Sequence, residues 1–348
     1  MPCLHFDPSR HRASWIAGLL ATCLVLDLAA ASGLAYIAGF HLVRVALAHL
    51  DLVWLEAVFG GLVLSFCGYY FAYCEIYRAE GGPNLSTRQM WAIVAAGFGG
   101  FLAHGGPTLD RYALKGAGAD DREASVRVAA LAGFEHGVLA IIGCAAAVLT
   151  FLLGRSAPPL DFRLPWAVLP LPGFLLAFWL AGKYRDRLRD RRGIAGKIGI
   201  FLESVYLLRH IFTRPREHLR GVVGMAIFWG AEMFAAWSAL AVFGERLNRA
   251  SFVVGFATGA VFTRRTGPLA GAGVLMLVLP LSLWISGAPL SPSVAGFFLF
   301  RLVSVWTPVP CSLLSLPTLR ELGAAQLSHS QGKAFSRPFE PALVQDPG

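Results

Sequence analysis

Long apolar stretches follow one another along this chain and are separated by short polar gaps. A helix needs about 20 apolar residues to cross the hydrocarbon core of a bilayer, and several of the stretches reach that length. They cover residues 15–40, 52–74, 128–153, 164–182, 221–244 and 266–300, the last of which breaks at 286–293 so that a final span runs from there to 316. The pattern predicts an all-α polytopic membrane protein with about 7–9 transmembrane helices.

The composition suits a bilayer better than water. Hydrophobic residues make up 56% of the 348 residues and charged residues only 15%, whereas soluble domains carry about 25% charged residues. We predict one transmembrane domain over residues 15–318, a short N-terminal segment before it (1–14) and a polar, disordered tail after it (319–348). The first apolar run is longer than the roughly 7–15 residues of a signal-peptide core, so it is predicted to be a retained span.

Positive charge collects in one loop. Residues 183–220 hold 11 Lys and Arg against four Asp and Glu, in a chain of formal net charge +9. Such loops lie on the cytoplasmic side and face anionic lipid, so we predict that this loop and the N-terminus are cytoplasmic, in the plasma membrane of a bacterium. Apolar residues at helical spacing over 197–212 predict a helix in the membrane interface. Membrane lipids explain the charge, and no nucleic-acid partner is expected.

Two apolar segments, 89–104 and 251–263, are too short to cross a bilayer and are rich in glycine. They lead into the turns Gly106-Pro107 and Gly267-Pro268. Short segments interrupted by Gly and Pro are typical of broken or re-entrant helices, and a matching pair in two halves indicates an internal repeat around a central site. The alternative is that these small residues only let helices pack closely.

Several ionisable residues lie inside the predicted spans. They are Asp27, Glu56, Glu135, His136, Glu232 and Arg301. A charge in the bilayer costs at least about 2.5–3.5 kcal/mol, and it is usually paired or lines a pathway. We predict an ion pair between Arg301 and Glu232, and we assign Glu135, His136, Glu232 and Arg301 to a substrate pathway. The alternatives are a purely structural pair and, for Glu56, a position at the end of its span.

Charged residues also accompany both Gly-Pro turns. Asp110, Arg111 and Lys115 follow the first turn, and Arg264 and Arg265 precede the second. Arginine binds phosphate through two parallel hydrogen bonds. These residues therefore predict a cationic lip that meets an anionic head group, as part of the same pathway. The alternative is a set of solvated loop charges.

The six cysteines predict neither a disulfide framework nor a metal site. None forms a CxxC pair, and no His/Cys cluster has the spacing of a zinc site. No Walker loop, GxSxG or HExxH motif is present either. The sequence predicts no cofactor and favours a protein that is not an enzyme.

The order of these features resembles the lysylphosphatidylglycerol synthase transmembrane family of flippase-like membrane proteins. An early Gly/Pro/charge stretch at 105–115 precedes Phe134-Glu135-His136, a Gly-Pro hairpin follows at 266–273, and Arg301 and Trp306 share the last span. The resemblance covers about residues 15–320 and, for a membrane part alone, implies lipid translocation or a stand-alone protein of unassigned function. The acidic residue that usually follows the hairpin is absent from 271–277, and no aminoacyl-transfer domain follows the membrane part, so lysyl transfer is not implied.

The leading hypothesis is therefore a flippase-like protein that binds or translocates an anionic lipid or a lipid-linked amphiphile. One alternative is a membrane-embedded transferase with His104, Glu135 or His136 as its base. The other is a non-catalytic partner whose basic loop recruits a membrane or cytoplasmic protein.

Overall fold

The computed structural model describes residues 13–48, 50–98, 106–153, 158–261 and 271–324, and every regular element within these ranges is a helix. The helices are α1 (Ala13–Ala38), α2 (Phe40–Ala48), α3 (Val53–Arg78) with a 3-10 turn at Ala79–Gly81, α4 (Thr87–Phe98), α5 (Gly106–Gly116), α6 (Asp121–Leu153), α7 (Leu160–Val168), α8 (Pro170–Leu188), α9 (Gly193–Thr213), α10 (Leu219–Val242), α11 (Arg249–Ala260), α12 (Val274–Ile285), α13 (Leu290–Trp306) and α14 (Val309–Leu314).

Six helical stretches among the described residues are long and apolar enough to cross a membrane, which makes the chain a membrane-embedded protein by length and composition. They are Leu20–Ala38, Val53–Gly81, Asp121–Leu152, Leu160–Leu188, Leu219–Val242 and Leu290–Leu314. The predicted count of about 7–9 spans is not confirmed. The main difference lies in the apolar run that begins at residue 266, whose first residues lie outside the described ranges and whose described part contains the 12-residue helix α12.

The turn before α12 explains why that helix is short. Gly273 caps α12 with φ 76°, a left-handed conformation that favours glycine. The 12 residues of α12 rise about 18 Å at 1.5 Å per residue, against a hydrocarbon core of about 30 Å. An uncharged stretch that is long enough in sequence therefore yields a helix too short to span.

Helices α3 and α10 form the centre of the bundle with their backbones in contact. A Cβ atom added to Gly68 would lie 2.6 Å from the carbonyl oxygen of Gly224, and the converse distance is also 2.6 Å. Small residues let transmembrane helices approach this closely and gain van der Waals contact, which must replace the hydrophobic effect inside lipid. The span of α10 is accordingly 72% buried within the protein.

The other helices surround this pair. Helix α13 packs against α10 and α12, α11 packs against α6 and α12, and α1 lies against α12 and α13. The stretch Leu160–Leu188, which contains α7 and α8, is only 6% buried. It lies at the periphery, where its apolar side chains are positioned to face lipid.

The helix predicted at 197–212 is present as α9, although its depth in a membrane stays a prediction. One face of α9 packs on α6 and α8 through residues such as Leu202 and Val205. The described chain includes the first residues of the predicted tail, 319–324, and the rest of that tail lies outside the described residues. Residues 316–324 are helical, and Leu319 and Leu322 are buried.

Both predicted breaks border residues outside the described ranges. The first segment ends as α4 at Phe98, and α5 opens at Gly106 with Pro107 as its second residue, a position where the missing N–H of proline does no harm. The second segment ends as α11 at Ala260. His104, Arg264, Arg265, Gly267 and Pro268 lie outside the described residues, as does the N-terminal segment up to residue 12.

Candidate functional site

Three hydroxyl groups on one face of α3 each donate a hydrogen bond to a buried carboxylate of another helix. Ser65 donates to Glu232 of α10 at 2.9 Å, and Tyr69 donates to Glu135 of α6 at 2.8 Å. Tyr73 donates to both carboxylate oxygens of Asp110 on α5, at 3.2 Å each. The donors are spaced four residues apart, so they stand in a row along the helix. We call this arrangement the hydroxyl–carboxylate row.

The carboxylates of this row are almost completely buried. Asp110 is 0% exposed, Glu135 1% and Glu232 5%. Carboxylates at such depth need hydrogen-bond donors, and a hydrogen bond to a charged group contributes about 1.5–3 kcal/mol. The row therefore links α5, α6 and α10 to α3 by hydrogen bonds, and it offsets the free-energy cost of burying their three carboxylates.

A second buried cluster joins α13, α1 and the start of α12. The Nε atom of Arg301 lies 3.3 Å from Oδ2 of Asp27, and the Gly273 N–H donates to Oδ1 of Asp27 at 2.8 Å. Asp27 thus pairs with a cation and also caps α12, whose N-terminal dipole end favours a negative charge. Arg301 is 3% exposed and Asp27 6%.

Arg301 forms an ion pair with Asp27, and the pair with Glu232 that the sequence suggests stays a prediction. The reason for the Asp27 pair is the packing of α1 against α13, which brings together residues separated by 274 positions in the chain. Glu232 lies nearby and accepts from Ser65. Both Glu232 and Arg301 take part in further interactions as well.

A cavity of about 40 Å³ lies between these two clusters. Its wall includes three predicted pathway residues, Glu135, Glu232 and Arg301. The rest of the wall consists of the hydroxyl-bearing Ser304 and of aromatic and aliphatic side chains: Phe228, Trp229, Phe256, Ala260, Leu275, Leu279 and Phe300. One water needs roughly 10–15 Å³ by this measure, so the cavity has room for two or three waters. It brings charges of both signs into an otherwise apolar interior.

The aromatic wall is held in place by its own contacts. The Trp229 indole N–H donates to the backbone carbonyl of Glu135 at 2.7 Å, and Phe228 stacks on Tyr69 with ring centroids 4.4 Å apart. Phe256 and Phe300 meet edge to face on the other side. The Trp229 contact positions the backbone of Glu135, and the Phe228 contact positions Tyr69, the hydrogen-bond donor to the Glu135 carboxylate.

Other predicted pathway residues lie away from the cavity wall. Arg111 and Lys115 each lie 3.2 Å from Asp121 in ion pairs whose side chains are 34–68% exposed. Such surface pairs are screened by water and contribute about 0–1 kcal/mol. His136 is half-buried, and its Nδ1 contacts the carbonyl of Ala132 on its own helix. Glu56 is exposed in the first turn of α3, which fits the interpretation as a span-end residue.

The sequence interpretation missed the hydroxyl donors and the role of Asp27. Ser65, Tyr69 and Tyr73 have a recognisable spacing, because polar groups four residues apart inside an apolar span share one helix face. That spacing is a signal that could have located the row. Nothing local marks Asp27 as the partner of Arg301, since that choice depends on which spans pack together.

No protein-family model matches the chain. No curated protein matches it in sequence either. The family resemblance therefore stays a prediction.

Proposed function

We propose that this membrane protein is a flippase-like transport protein and that it binds the polar head group of an anionic lipid or lipid-linked amphiphile in the central cavity. The observation that carries the proposal is the meeting of the buried residues Glu135, Glu232 and Arg301 on the wall of one cavity. Charges at membrane depth are expensive, and they are typical of substrate and ion pathways. Tight packing alone would need none of them.

The chemistry of the wall suits a head group that carries both an anion and hydrogen-bond donors. The guanidinium of Arg301 would meet phosphate or carboxylate oxygens. Glu135 and Glu232 would accept from hydroxyl or amino groups of the same head group. The surrounding aromatic rings would pack against its carbon atoms.

The size of the cavity implies a moving part. A space of about 40 Å³ holds waters and not a head group, so binding requires the walls to separate. The short helices α11 and α12 supply Phe256, Leu275 and Leu279 to the wall. At about 18 Å each, they are candidates for the broken, re-entrant element that opens towards one side. Helices α4 and α5 are candidates for its counterpart in an internal repeat, and α5 contributes Asp110 to the hydroxyl–carboxylate row.

A lipid-movement assay tests the proposal. The protein is reconstituted into liposomes with a trace of fluorescent phosphatidylglycerol, and dithionite bleaches the label that is exposed outside. If the protein moves labelled lipid from the inner to the outer leaflet, dithionite bleaches a larger fraction of the fluorescence than the outer leaflet held at the start. Glu232→Gln keeps the size of the side chain, and Arg301→Lys keeps its charge. Each should slow lipid movement at least about tenfold, as expected for the loss of about 1.4 kcal/mol of interaction with the head group.

Arg111→Gln is the matched control, because its guanidinium is exposed and paired with Asp121 on the surface. It should move lipid at the wild-type rate. The proposal fails if wild-type protein moves no lipid, or if all three variants lose the same small fraction of activity. In the first case the recruiting role of the basic loop 183–220 becomes the better hypothesis.

A further inference from the structure

The turn between α9 and α10 brings two imidazoles and a carboxylate together. Ligand atoms of His210, Glu217 and His218 all lie within 4.8 Å of one another, and the two imidazole centroids are 5.4 Å apart. The turn itself is fixed by backbone hydrogen bonds, since Arg214 N–H donates to the His210 carbonyl at 3.1 Å and Glu217 N–H donates to the Arg214 carbonyl at 3.1 Å. The backbone of this short connection is therefore fixed, and it places the three side chains within reach of one another.

The environment of His218 indicates which of its nitrogens is available. Its Nδ1 lies 2.6 Å from Oε1 of Glu75 at the end of α3. Its Nε2 is buried and has no hydrogen-bond partner in the part of the chain that the structure describes. If Nδ1–H donates to the carboxylate, Nε2 carries a lone pair that is withdrawn from water. A buried lone pair of this kind needs a partner.

A metal-ligating imidazole usually donates the N–H of its other ring nitrogen to a carboxylate or another acceptor. The carboxylate fixes the tautomer and the orientation of the ring, and it makes the free nitrogen a better ligand. Glu75 occupies that place for His218. Glu80 lies 3.8 Å from Nδ1 of His210, so the second imidazole also has a carboxylate close to it.

We propose that His210, Glu217 and His218 bind one divalent transition-metal ion, with zinc the best fit, and that Glu75 orients His218 from behind. Two imidazoles and one carboxylate are a ligand set that zinc accepts, with water in the fourth position. Calcium and magnesium prefer oxygen ligands alone. The Glu217 side chain is 62% exposed and lies 3.6 Å from Arg214. Surface pairs of this kind contribute only about 0–1 kcal/mol, so Glu217 can leave Arg214 and turn inwards to a bound ion.

The site lies far from the cavity and does not depend on the proposed transport function. Glu232 follows His218 by 14 residues of the same helix, which is about 21 Å along its axis. A metal here would tie the α9–α10 turn to the end of α3. Local spacing does not reveal the site, because seven residues separate the two histidines and the supporting carboxylate belongs to a distant helix.

The test is zinc binding by the full chain, purified in detergent without a histidine tag and stripped of metal with a chelator. Titration against a chromophoric zinc indicator should give one zinc per chain. His210→Gln and His218→Gln should each weaken that binding at least about tenfold, and Glu75→Gln should weaken it by about 10–100-fold as an orienting residue does. Cobalt added to the wild-type protein should give the visible absorption of a tetrahedral site.

His41→Gln is the matched control, because His41 is an exposed histidine on α2 and its loss should leave zinc affinity unchanged. Glu217→Gln keeps the test valid if a histidine variant fails to fold. The side chain is exposed, so the substitution should leave the fold intact while it weakens zinc binding about tenfold. The proposal is overturned if wild-type protein binds no zinc, or if Glu217→Gln and the folded histidine variants bind it as tightly as the His41 control.

Discussion

Replacing Asp27 by Asn removes the charge that faces Arg301 and keeps an oxygen in place to accept from Gly273. At a separation of 3.3 Å and an effective dielectric constant of about 20, the Coulomb attraction is about 5 kcal/mol. Removing one charged partner of a buried pair typically lowers the free energy of unfolding by about 3–5 kcal/mol, because the other charge stays buried without a partner. We expect a loss in that range for Asp27→Asn and for Arg301→Gln.

Asp27→Ala separates the two roles of the carboxylate. It removes the ion pair and also the acceptor for the Gly273 N–H at the start of α12. Loss of such a cap costs about 0.5–2 kcal/mol. Asp27→Ala should therefore be less stable than Asp27→Asn by about 1 kcal/mol.

The double variant Asp27→Asn with Arg301→Gln provides the decisive comparison. If the two residues are partners, its loss should fall short of the sum of the single losses by about 2 kcal/mol or more, since neither charge remains. The assay is reversible unfolding in mixed detergent micelles, followed by tryptophan fluorescence. Glu56→Gln, at an exposed position of α3, should change stability by less than about 0.5 kcal/mol.

Additive losses, within about 0.5 kcal/mol, would refute the pairing of Asp27 with Arg301. The same cycle with Glu232→Gln in place of Asp27→Asn tests the partner predicted from sequence. A larger coupling for Glu232 than for Asp27 would show that the ion pair has been assigned to the wrong carboxylate.

Two further predictions concern packing and orientation. Gly68→Ala should abolish folded protein in size-exclusion chromatography, because the added methyl group would lie 2.6 Å from the backbone of α10, whereas Gly60→Ala on the same helix, with nothing within 4 Å, should fold normally. Reporter fusions at Asp186 and at the N-terminus should both report the cytoplasm, since the 183–220 loop carries an excess of Lys and Arg; an external signal at Asp186 would overturn the orientation.

The sequence located most helices closely. The run predicted at 221–244 is α10 (Leu219–Val242), and the run at 52–74 is part of α3 (Val53–Arg78). Apolar length and helical periodicity are properties of neighbouring residues, so they can be read without knowing the fold. Among the described residues, the run from 266 contains only the 12-residue helix α12, which follows the turn at Gly273; such a turn is not visible in hydropathy.

The sequence also marked Glu135, Glu232 and Arg301, because a charge inside an apolar run stands out wherever the chain folds. It could not distinguish Asp110, which points inwards to Tyr73, from Arg111, which lies at the surface with Asp121. Adjacent residues on a helix differ by about 100° in direction. Which of them faces the interior depends on where the neighbouring helices lie.

What the sequence determined by itself is the class of the molecule: a membrane-embedded bundle of helices with a few charges in its spans. Only the tertiary structure decided the partners of those charges, placing Asp27 against Arg301 and Glu75 against His218. The physical reason is helix packing: α1 lies against α13, and α3 packs backbone to backbone on α10 through Gly68 and Gly224. Those contacts fix which helix faces meet, and partners from distant parts of the chain follow from them rather than from any local pattern.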